Sequence, residues 1–188
     1  YLGNKLSTSI MDDDRKYTYF VVRSEQVNAF AIPGGYIGLN AGLINLTSSE
    51  AQLAGVVAHE ISHVKLRHSA EMIANMSLNN IPMWAGIIAG IFAGNAEASM
   101  AALRLGIGQS SQMSINLIRE NEIEADDYGI EIMTRSNYDL EEMSNFFKTM
   151  GNVSGEIQRE LSYLSTHPMY ENRISHIQNK AKLQNSPI

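Results

Sequence analysis

The stretch VVAHEISHVKLRH, residues 56–68, narrows most what this chain can fold into. Read as an α-helix turning about 100° per residue, it sets His59 and His63 about 40° apart on one face, with Glu60 at its side. Two imidazoles so placed can share one metal ion, and the carboxylate beside them can reach a water without ligating the metal. A catalytic zinc usually takes three protein ligands, so the rest of the chain has to supply a third. The sequence has no cysteine, which leaves only His, Asp or Glu for that task. The competing reading is a helix with two surface histidines and a chance glutamate. His68 falls about 180° from His59 and about 140° from His63, and reads as a solvent-facing or partly packed side chain outside the site.

The third ligand is sought in LIRENEIEADDYGIEIM, residues 117–133. With Glu122 as origin, Asp126 lies about 40° away, on the stripe that also carries Ile118, Ala125, Gly129 and Met133. Glu120, Glu124, Asp127 and Glu131 gather on the other side and read as a solvated face. Glu122 and Asp126 therefore face the core, where an unpaired carboxylate is costly. Ala125 and Gly129 let this helix approach the His59–His63 helix closely. Glu122 then completes a His₂Glu set, and Asp126 accepts the outer N–H of a ligating histidine. A structural ion pair of Glu122 with Arg119 or Arg173 is the alternative use.

Around these two helices the pattern is α+β: mostly helical, with one small sheet near the N-terminus. Leu2, Leu6 and Ile10 predict the end of a helix. YTYFVVRS (17–24), VNAFAIP (27–33) and GYIGLN (35–40), punctuated by Pro33-Gly34-Gly35, predict an antiparallel meander. Thr47 and Glu50 read as a capping box opening a helix that runs to about Asn80. Further helices are expected over about 109–135, from Asp139 with Glu142 as its capping partner, and after His167-Pro168. The run IPMWAGIIAGIFAG (81–94), with Gly86, Gly90 and Gly94 at four-residue spacing, is too short to span a bilayer. It reads either as a buried or cleft-lining helix or as a segment in peripheral membrane contact.

At 188 residues the chain reads as a single domain, trimmed at both ends. A net charge of −6 and the lack of a Lys/Arg stripe or aromatic platform argue against nucleic acid as a partner.

HEISH (59–63), NEIEAD (121–126), STHPMYENRI (165–174) and NAFAIPGGYIGLNAGLI (28–44) resemble motifs of the HtpX-like and BepA-like gluzincin metallopeptidases, relatives of the CAAX prenyl proteases. The motifs fall in the family's order across about 28–174. The resemblance implies a zincin-type metallopeptidase domain, 1–188, holding one Zn²⁺ through His59, His63 and Glu122, with Glu60 as general base and acid and Asp126 as the aspartate behind the ligands. It further implies quality control in the bacterial periplasm or cell envelope, with unfolded or misassembled proteins as substrates and envelope assembly machinery as partner. In the soluble branch of the family a helical repeat domain often follows.

STHP also matches the family, and its His167 has three readings: oxyanion stabiliser, fourth zinc ligand holding the enzyme latent, or cap of a helix starting at Pro168. Arg173 either pairs with a buried carboxylate or assists the oxyanion, and His176 reads as solvent-facing. GYIGLN is the expected sheet edge for an extended substrate, unless Gly35 and Gly38 only serve turns and a weak strand. The leading function is thus a zinc endopeptidase. The alternatives are a zinc-closed, holdase-like binding module of the same fold and a metal-free helical scaffold.

Overall fold

The chain runs α1 (Leu2–Ser7), β1 (Thr18–Val22), β2 (Ala29–Ile32), β3 (Tyr36–Asn40), α2 (Ala41–Leu46), α3 (Glu50–Lys65), α4 (His68–Ala74), α5 (Gln112–Arg135), α6 (Glu141–Asn152), α7 (Tyr163–Thr166) and α8 (Arg173–Asn185). A computed structural model describes residues 1–11, 13–74, 89, 112–152, 163–169 and 172–185. The architecture is α+β, as the pattern predicts. Apart from residue 89, the glycine-striped run 81–94 lies outside the described residues. Among the described residues no helix is long and apolar enough to cross a membrane.

The sheet is mixed, not antiparallel throughout. β2 and β3 form the expected hairpin around Pro33-Gly34-Gly35, where Gly34 and Gly35 take φ of 98° and 85°, a region open to glycine at no steric cost. β1, however, pairs in parallel with β3, giving the order β1-β3-β2. The physical reason lies at the other edge of β2. That edge meets α3 and α4, with Ser69 Oγ donating to the Ala31 carbonyl at 3.4 Å, so β1 is left the free side of β3. Alternating hydrophobicity sets which face of a strand is buried but not which strand lies beside it. The consequence for GYIGLN is direct: β3 is the central strand and offers no edge. Its Gly38 sits between Phe20 and Phe30, whose rings meet edge-on at 5.9 Å across the glycine.

α3 opens at Ser49, two residues after the expected Thr47. Ser49 Oγ accepts from the Gln52 N–H at 3.1 Å, and the Gln52 side chain reaches back to the Ser48 N–H at 3.0 Å. This is the reciprocal logic of a capping box, in the register Ser-x-x-Gln. Glu142 caps nothing of its own helix; it accepts from Ser49 Oγ at 2.8 Å and so ties α6 to the start of α3. α3 also ends early, at Lys65 and not near Asn80. Arg67 takes φ of 64°, a left-handed conformation that costs an L-residue about 1–2 kcal/mol, and α4 starts afresh at His68.

α3 lies at the centre of the core. Val57 and Ile61 from α3, Ile130 and Met133 from α5, and Met143, Phe146 and Phe147 from α6 form one buried cluster with Leu6 and Ile37. Each such side chain contributes about 1.5–3 kcal/mol of burial. The predicted close approach of α3 and α5 is present: a Cβ on Gly129 would lie 3.3 Å from the His59 backbone nitrogen. The last helix begins at Arg173, five residues beyond Pro168, so His167 lies in the irregular segment after α7 and does not cap α8.

Candidate metal centre

The α3–α5 contact brings His59 and His63 against Glu122, and the segment after α7 lays His167 over them. All four are buried, and one donor atom from each falls within 4.8 Å of the others. His59 Nε2 lies 3.0 Å from His63 Nε2 and 3.4 Å from Glu122 Oε2. His63 Nε2 lies 3.3 Å from Glu122 Oε1. His167 turns Nδ1 into the group, 3.2 Å from His59 Nε2 and 3.1 Å from Glu122 Oε1. Three imidazoles and a carboxylate so enclosed suit a shared cation; without one, their desolvation is only partly offset by mutual hydrogen bonds.

The surroundings fix the orientation of His59. Its Nδ1 sits 2.9 Å from Asp126 Oδ1, so the proton on Nδ1 points to the carboxylate and Nε2 points into the cluster. Burial works against a charge on His59, but the hydrogen bonds to Asp126 and Glu122 outweigh it and raise its pKa to about 9. Burial dominates at His63 and lowers its pKa to about 3. Burial also opposes the charges of Glu122 and Asp126. At Glu122 the His167 and Arg173 charges prevail and hold the carboxyl well below its usual range; at Asp126 the Arg173 charge does the same more mildly.

Arg173 is where the two carboxylates meet. Its Nε and one terminal nitrogen take Asp126 in a bidentate pair at 2.6 and 2.9 Å, and the other terminal nitrogen takes Glu122 at 2.8 Å. Of the two roles expected for Arg173, its contacts are those of pairing. The expected Glu122–Arg173 ion pair is also present, beside the histidine cluster and not in place of it.

Glu60 is fully buried, and among the described residues neither carboxylate oxygen has an aligned hydrogen-bond donor, although Oε1 is 3.3 Å from His167 Nε2. Burial raises its pKa. A carboxylate held dry beside the cluster takes up a proton more readily than one in water.

Two histidines differ from the sequence reading. His68 is 3 % exposed, with Nδ1 3.0 Å from His63 Nδ1 and Nε2 3.3 Å from Glu124 Oε2. The helix break at Arg67 defeats the angle that placed it elsewhere, and Glu124 meets its outer nitrogen from the solvated face where the sequence pattern sets it. His176 is half-buried against Asp127 at 2.7 Å rather than facing solvent. Sequence reasoning also passes over Tyr163, whose fully buried ring has its centroid 4.5 Å from that of His167 and whose backbone N–H donates to the Val27 carbonyl at 2.9 Å. No spacing rule links it to the site.

The profile of Peptidase family M48 matches residues 2–181. The beta-barrel assembly-enhancing protease of Yersinia pestis is 34% identical over 182 residues, 96% of this chain and 37% of that protein. The protein of the same name from Escherichia coli (strain K12) is 32% identical over 182 residues, again 96% of this chain and 37% of the relative. Mitochondrial metalloendopeptidase OMA1 of Schizosaccharomyces pombe is 29% identical over 171 residues, 88% of this chain and 47% of its own length. The chain thus spans less than half the length of each of these relatives. With the family profile matched from α1 into α8, this chain belongs to peptidase family M48.

Proposed function

We propose that this chain is one metallopeptidase domain, a zinc-dependent endopeptidase that hydrolyses peptide bonds of unfolded or misassembled cell-envelope proteins. The observation that carries the reading is the convergence of His59, His63 and Glu122 beside a fully buried Glu60. The three would hold the zinc, whose donor set of two imidazoles and a carboxylate is that of a catalytic site. Bound there, zinc supplies Lewis acidity to a peptide carbonyl and to water.

The chain's own residues supply the rest. Glu60 takes the proton of the attacking water on a carboxylate oxygen and returns it to the leaving amine. Asp126 keeps His59 in the Nδ1–H tautomer, and Arg173 keeps Asp126 and Glu122 ionised and in place. A cavity of about 360 Å³ between Ile32, His63 and Arg67 gives room for a substrate side chain.

The position of His167 Nδ1 inside the cluster favours one elaboration. As a fourth ligand, His167 closes the site and keeps the enzyme latent until substrate or a partner moves the segment 167–169. The names of the bacterial relatives support an envelope or periplasmic setting with assembly machinery nearby. The binding-module alternative gives Glu60 no task.

The test is cleavage of an unfolded protein by zinc-loaded His167→Ala beside His167→Ala/Glu60→Gln. The expected outcome is cutting by the first alone. Zinc retained in both with no cutting by either would overturn the endopeptidase reading.

A further inference from the structure

The proposed mechanism leaves His68 and Glu124 unused, yet the fold departs from a regular helix to bring them in. On a continuous helix His68 would lie about 140° round from His63. The left-handed turn at Arg67 instead starts α4 at His68 and directs its ring back onto His63, with the two ring planes at 75° and Nδ1 to Nδ1 at 3.0 Å.

The proton positions follow from the count of one per neutral ring. His63 turns Nε2 to Glu122 and His59, so a lone pair there requires the proton on Nδ1. That proton points at His68 Nδ1, which must accept it. His68 then carries its own proton on Nε2, 3.3 Å from Glu124 Oε2.

We propose that His68, backed by Glu124, is a positioning residue that fixes the tautomer and ring orientation of His63, as Asp126 does for His59. This inference rests on the metal-centre reading above. The inserted imidazole has a physical use. Glu60, Glu122 and Asp126 are already buried at the site, and a further carboxylate against His63 would add to their repulsion. Passing the contact through His68 moves that charge out to Glu124, whose side chain is 64% exposed.

The experiment measures zinc affinity of the full chain by competition with a chromogenic chelator, with circular dichroism confirming that each variant folds. His68→Phe fills the space but cannot accept a hydrogen bond; His68→Gln offers an amide oxygen. The expected result is about a 10- to 100-fold loss of zinc affinity in His68→Phe and near-native affinity in His68→Gln. In zinc-loaded protein the His63 Nδ1–H is expected as a slowly exchanging NMR resonance that survives in the Gln variant and is lost in the Phe variant. Native affinity in His68→Phe would overturn the proposal, and so would an equal loss in both variants, which marks a packing role. Native affinity in His63→Ala would instead remove the metal-centre reading, and this inference with it.

Discussion

The guanidinium of Arg173 holds both α5 carboxylates at once and lies 4.6 Å from the Phe147 ring centroid, so its charge is paired and enclosed. Replacing it by leucine leaves Asp126 and Glu122 buried side by side without their cation. Loss of one partner from a buried ion pair costs about 3–5 kcal/mol, so Arg173→Leu is expected to lower the thermal midpoint steeply in a melting experiment. Glu60→Gln should behave in the opposite way, keeping zinc and fold while lowering kcat by about 10²–10⁴-fold in the opened His167→Ala background. Metal analysis beside steady-state kinetics separates the two effects. His59, His63, Glu122 and Asp126 were legible because both helices stay regular between them, and 100° per residue then places side chains reliably. His68 was not, because a single backbone torsion at Arg67 resets the count. Nothing in the local sequence marks an arginine as the residue that takes that torsion.

The elements meet at positions where small or capping side chains decide the geometry. Ser49 caps α3 and also donates to Glu142 of α6. Ser49→Ala should therefore cost about 1 kcal/mol by chemical denaturation, the usual loss of an N-cap. Gly129 of α5 faces the His59 backbone, with no room for a branched side chain. Gly129→Val is expected to destabilise by about 1–3 kcal/mol and to weaken zinc binding in the same protein, since it separates α3 from α5. A stability loss with unchanged zinc affinity would show that the helix spacing does not set the site. Apolar periodicity made the helices legible, and the Pro33-Gly34-Gly35 turn did the same for the hairpin. The place of β1 was not legible, because it depends on which edge of the hairpin α3 and α4 cover, a long-range packing outcome.

At the scale of the molecule, the candidate ligands come from α3, α5 and the segment after α7. A metal bound by all three is linked to the folded state alone. Saturation at about 1,000 times Kd should add about 4 kcal/mol to stability, so chelation is expected to lower the thermal midpoint and zinc to restore it. A midpoint indifferent to chelator would mean that the site holds no metal.

The sequence separation of these groups bears on when the cluster comes into being. His59 and His167 stand 108 residues apart, and Glu122 lies 45 residues before His167. Synthesis makes the H-E-x-x-H helix before the segments that carry Glu122 and His167, so a growing chain presents His59, Glu60 and His63 without the groups that complete the cluster. Under the proposed function, hydrolytic competence is then a late acquisition of biogenesis.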